Sequence, residues 1–135
     1  MTLTIAALAL SALSAQPAAA LDQCSNISPR VQRMCIGRRI ERKQRQMETL
    51  YPRALAQVRS SHARWGRNDN RMHPRFFEQA QKDWRRFVQS NCTAAAAFGG
   101  GSNTSITDRF MQCYEEELDR RIALFQRMAG GRYGL

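Results

Sequence analysis

Among 135 residues there are only two lysines and two histidines, and no stretch alternates polar and apolar side chains long enough to make a half-buried strand. That last absence excludes a sheet as the main architecture. The scarcity of histidine bears on chemistry: His62 and His73 have no serine, cysteine or carboxylate at a spacing that builds a triad or a metal centre, and read as exposed turn residues. No phosphate loop is present, because Gly99-Gly100-Gly101-Ser102 follows no strand and carries no lysine. The acidic run Glu115-Glu116-Glu117 with Asp119 spreads over much of a helix circumference with arginines one turn away, which suits a solvated face better than paired catalytic carboxylates. Neither catalysis nor a cofactor is expected, and the length allows one compact domain.

Against 11 acidic residues stand 21 basic ones, a formal charge of +10, and 19 of the basic residues are arginine. The segment from Thr2 to Ala20 contains none of this charge. Its apolar core from Leu3 to Leu13 leads through Pro17 into Ala18-Ala19-Ala20, the pattern of a secretory signal peptide cut after Ala20, and Pro17 with the scattered Ser and Thr residues makes it a poor membrane anchor. The expected organisation is a signal peptide over 1–20 and a single domain over 21–135, with a core of about 24–128, in a periplasmic or secreted product. All four cysteines, Cys24, Cys35, Cys92 and Cys113, lie beyond the cut. An even count in an exported chain indicates two disulfides, and spacings of 11, 57 and 21 offer none of the close pairs that structural zinc uses.

Three amphipathic helices account for the rest. From Cys35 to Trp65 apolar residues fall at Ile36, Ile40, Met47, Leu50 or Tyr51, Ala54 and Val58, mostly three or four apart. Pro52 interrupts this stripe, predicting a kink there or two helices end to end. After the turn-like stretch from Gly66 to Asn70, Pro74 is placed to open a second helix with Phe77, Ala80, Trp84, Phe87 or Val88, and Cys92 on one face. The run Phe98 to Asn103 ends it. Ser105 or Thr107 then caps a third helix whose stripe is Ile106, Phe110, Cys113 or Tyr114, Leu118, Ile122, Phe125 and Met128, ending at Gly130-Gly131. Short connections give an all-α, antiparallel three-helix bundle, up-down-up. In that arrangement all four cysteines gather at one end, which favours pairings between different helices over a local Cys24 to Cys35 bridge.

The opening Cys24 with Cys35 eleven residues on, the Leu50-Tyr51 pair, Gln81-x2-Trp84-x2-Phe87-x4-Cys92, a glycine loop, Cys113 and Arg121-Ile122-Ala123-Leu124 together resemble the LprI family of small secreted helical domains, named after a lysozyme inhibitor. The resemblance spans nearly all of the chain from Cys24 to about Met128. It implies a non-enzymatic binding protein, a lysozyme-type muramidase as partner, and Tyr51, Trp84, Phe87 and Arg121 as the family-motif core. Val88 stands where the family usually has arginine, Leu118 where it often has threonine, and Pro52 interrupts a region that is normally continuous helix.

Between Arg30 and Arg67 eleven basic residues meet only Glu41 and Glu48, whereas Phe98 to Leu135 is neutral. Arg38, Arg42, Arg45 and Arg53 share one helical face, a candidate binding ridge for an acidic envelope polymer or another polyanion. No nucleic-acid motif accompanies it. The same charge opposes approach to the strongly basic animal-type lysozymes, so a muramidase target would have to be less basic or be met by a single arginine in its cleft. Trp65 and Phe98 lie off the stripes and suit a third role, protein contacts in a structural module.

Overall fold

The computed structural model describes residues 24–65 and 73–131. Residues 1–20, expected to be a signal peptide, and 66–70, expected to be a turn, lie outside the described residues. The described residues form three helices: α1 (Pro29–Trp65), α2 (Pro74–Phe98) and α3 (Asn103–Ala129). The helical stripes locate them well, and the differences are at ends and faces.

Helix α1 begins six residues before Cys35, because Ser28-Pro29 is itself a start signal: proline fits the first helical position, and Gln32 N–H closes the first turn on the Ser28 carbonyl at 2.9 Å. The helix runs through Pro52 without dividing in two. Met47 on one side of the proline and Ala54 and Leu55 on the other are buried, and this packing holds the helix together where one backbone bond is missing. Pro74 opens α2 as expected, with the His73 ring nitrogen Nδ1 accepting from Arg75 N–H. The cap of α3 is neither Ser105 nor Thr107. Ser102 holds that position, its hydroxyl accepting from Ser105 N–H at 3.3 Å. In the connection before it Gly100 and Gly101 adopt φ of 61° and 94°, which side chains oppose.

Cross-helix partners fix the topology. Arg33, Arg39 and Lys43 of α1 meet Asp108, Glu115 and Asp119 of α3, so both helices advance together and lie parallel. Between α2 and α3 the order reverses: Phe77 meets Phe125, Gln81 meets Arg121, and Cys92 meets Cys113. This is the up-down-up bundle, with its largest interface between α1 and α3. Met47, Ala54, Leu118, Ile122 and Phe125 form the buried centre, flanked by Tyr51, Phe77 and Trp84.

The cysteines pair as Cys24–Cys35 and Cys92–Cys113. The second joins α2 to α3. The first is the local bridge that the sequence reading disfavoured. Asn26, at φ 61° in the left-handed region that asparagine tolerates, turns the chain ahead of α1 so that the Cys24 and Cys35 Cα atoms lie 5.7 Å apart, within normal bridging range.

Candidate functional site

The cations of α1 divide into two groups. On the side facing α3 they are spent on ion pairs. Glu115 is buried, its Oε2 accepting from Arg39 Nη2 at 2.8 Å and its Oε1 lying 2.7 Å from Lys43 Nζ. Arg39 Nε is 2.5 Å from Oε1 but outside hydrogen-bonding alignment. Lys43 Nζ also donates to Asp119 at 2.7 Å. Burial pushes the Glu115 carboxyl up, but the hydrogen bonds from Arg39 and Lys43 outweigh it and hold the group below its ordinary range. Burial likewise pulls Lys43 down, and its bonds to Asp119 and Glu115 leave it raised. The acidic run is therefore only partly a solvated face: Glu115 is an interhelical anchor, while Glu116 and Asp119 are exposed. A carboxylate gripped by two cations is unsuited to act as a glycosidase acid.

On the opposite side of α1, Arg38, Arg42, Arg45 and Arg53 are all exposed, and none has an ion pair among the described residues. The spacing 38, 42, 45, 53 puts them within a narrow sector at about 100° per residue. These four guanidinium groups therefore line one exposed side of α1, while Arg33, Arg39 and Lys43 are engaged by α3 and Arg59 by Glu78 of α2.

A second cluster sits where the three helices meet. The guanidinium of Arg121 lies 5.3 Å from the Trp84 ring centre and 4.9 Å from that of Phe125. Its Nε donates to Gln81 Oε1 at 2.9 Å, and the Gln81 amide in turn points at the Met47 sulfur. Tyr51 stacks on Phe77 with ring centres 5.6 Å apart, and Phe125 tilts against both. Burial lowers the Arg121 pKa, and one of its terminal nitrogens is buried without a partner. Among the described residues no carboxylate pairs with it; the aromatic faces and an amide oxygen stabilise the charge.

The outer side of α2 presents a line of phenylalanines. Phe76, Phe87 and Phe98 are 46%, 53% and 96% exposed. Eleven residues make just over three whole turns, so the three rings recur along one line about 16 Å apart. Trp65, at the end of α1, is also exposed. The two histidines touch across the turn, ring centres 5.1 Å apart, His73 exposed and His62 half-buried. Among the described residues no group of three metal-ligating side chains occurs, and no helix is long and apolar enough to cross a membrane.

A family model described as lysozyme inhibitor LprI matches residues 22–124. The chain belongs to the LprI family. Comparison with curated proteins and with solved structures gives no match. An inhibitor family is consistent with a protein that is not an enzyme, and two disulfides fit an oxidising compartment outside the cytoplasm. The LprI motif residues can now be placed. Tyr51, Trp84 and Arg121 lie in one cluster around Phe125. Phe87 does not: it points outward, and its neighbour Val88, 1% exposed, fills the core instead. Val88 and Leu118, two of the three positions that depart from the usual LprI pattern, are both fully buried, where an apolar side chain strengthens the bundle.

Proposed function

We propose that this LprI-family protein is exported, with residues 1–20 removed, and inhibits a muramidase by docking the outer face of α2 against it. The observation that carries the reading is the family match, which runs across α1 and α2 and through most of α3. The surface is chosen on chemistry. Protein interfaces draw their energy from a few exposed aromatic and arginine anchors that become desolvated on contact. Phe76, Phe87 and Phe98 offer three such anchors, with Arg75 stacked on Phe76 at 5.0 Å. Phe87 supports the assignment further, since it belongs to the W-x2-F segment of the motif and yet contributes little to the core. The outer face of α1, by contrast, repels a basic enzyme.

The test is peptidoglycan turnover by several lysozyme classes with the oxidised protein in excess. At least one class should slow. F76A, F87A and F98A should each retain the thermal melt of the parent, and F87A should weaken inhibition by about tenfold or more. Unchanged rates in every class refute inhibition. Inhibition undiminished in the combined F76A/F87A/F98A variant refutes the α2 surface.

A further inference from the structure

We propose that the outer face of α1 is a docking surface for an anionic phospholipid bilayer. The face has two parts in line. Arg38, Arg42, Arg45 and Arg53 form its cationic length, exposed and without ion pairs among the described residues. Seven and four residues before Arg38, on the same side at helical spacing, stand Val31 and Met34, 50% and 52% exposed. Ile27, 40% exposed, belongs to the same end, because the turn at Asn26 and the Cys24–Cys35 bridge tie the 24–28 segment back to the first turns of α1. One helix face thus presents a tip of three unpacked aliphatic side chains followed by a row of guanidinium groups.

The bundle explains why this face is free. α3 covers the other side of α1 and takes Arg33, Arg39 and Lys43 into ion pairs with Asp108, Glu115 and Asp119. The outer row is left with Glu41 and Glu48 at its margin, too few to neutralise it. A partner must therefore supply a lateral array of negative charge and, beside it, an apolar layer. An acidic polysaccharide or a nucleic acid supplies only the first and leaves Ile27, Val31 and Met34 in water. The interface of an anionic bilayer supplies both: phosphates at the depth of the arginines, and acyl chains just below for the aliphatic tip. Guanidinium groups suit phosphate because their planar fork bonds it through two donors. The local disulfide acquires a purpose here, since it holds Ile27 at the tip of the face without joining any two helices.

Cosedimentation of the purified, oxidised protein with vesicles of phosphatidylglycerol and phosphatidylcholine, against vesicles of phosphatidylcholine alone, tests this. Binding is expected to the anionic vesicles, weakening as salt rises. R38Q/R42Q/R45Q should reduce partitioning by about a hundredfold. V31S/M34S should reduce it severalfold while leaving retention on soluble heparin unchanged. All these positions are exposed, so unaltered helicity and melting serve as the control for folding. Equal binding to neutral vesicles overturns the proposal. So does V31S/M34S with full vesicle binding, which would reassign the face to an acidic polymer.

Discussion

Arg121 of α3 holds its guanidinium 5.3 Å from the centre of the Trp84 ring of α2, with the Phe125 ring as near on its own helix. A cation here is bound by π faces and by Gln81 alone, with one buried nitrogen unpaired. Its contribution is therefore packing and cation–π attraction set against desolvation. Arg121→Ala should cost about 2–4 kcal/mol, because it leaves a gap between Trp84 and Phe125 and strips the Gln81 side-chain oxygen of its donor. Arg121→Met, which fills the space and removes the unpaired donor, should cost less than half as much. Urea unfolding of the two variants separates these terms, and equal losses would show that charge outweighs volume.

The Glu115 cluster makes stability depend on pH at both extremes. Glu115 has its folded pKa lowered from an ordinary 4.5, so its contribution is present above about that value and is lost as pH falls through the folded pKa. Lys43 has its folded pKa raised from 10.5, so its contribution is present below that value and is lost as pH rises through the folded pKa. Stability from this cluster should be flat across the neutral range and fall on both sides. E115Q should lower stability at pH 7 by about 1–2 kcal/mol and flatten the acid limb that begins below the ordinary carboxylate value of 4.5. A parallel acid limb in the variant would assign the loss to other carboxylates.

Most of the architecture could be read from periodicity and punctuation. Three stripes at helical spacing, Pro74 as a first residue, and the glycine run after Phe98 specify three helices and their order. Periodicity alone could not choose between neighbours. Phe87 and Val88 stand 100° apart on α2, and either continues the stripe; only the tertiary packing, which buries Val88 and leaves Phe87 exposed, selects the smaller residue. Nor could it place Glu115, whose burial depends on Arg39 and Lys43 more than seventy residues away. The start of α1 was marked by Ser28-Pro29, a signal ahead of the first apolar stripe. At α3 several Ser and Thr residues within one turn were equivalent as caps until the chain direction out of Gly101 was known. The basic ridge was legible from charge and helical spacing, which singled out Arg38, Arg42, Arg45 and Arg53; the pairing of Arg33, Arg39 and Lys43 with α3 depends on residues more than seventy positions away and was not.

The two disulfides should differ in what they hold. Chain-entropy estimates for loops of 11 and 21 residues are similar, about 3 kcal/mol each. The Cys92–Cys113 bridge joins α2 to α3 beside buried Val88 and Ala96, so C92A/C113A should lower global stability by about that amount and speed amide exchange throughout the bundle. The Cys24–Cys35 bridge ties a short non-helical segment to one helix. C24A/C35A should speed exchange only around residues 24–36 and leave the protection of α2 and α3 near its parent level. Global loss of protection in C24A/C35A would show that this end nucleates the whole domain.

Pro52 sits on the exposed side of α1 with no amide proton, leaving the Glu48 carbonyl without its helical donor. A proline in a helix interior costs about 3 kcal/mol relative to alanine. Part of that is returned because proline also restricts the unfolded chain. Pro52→Ala should therefore stabilise the protein by about 1–2 kcal/mol, raising Tm by roughly 5 °C and increasing the helical signal at 222 nm. The alternative outcome carries equal meaning. Met47 and Leu55 are buried on either side of the proline, and a lower Tm in the alanine variant would show that both are seated by a local backbone geometry that Pro52 imposes and a regular helix would not supply.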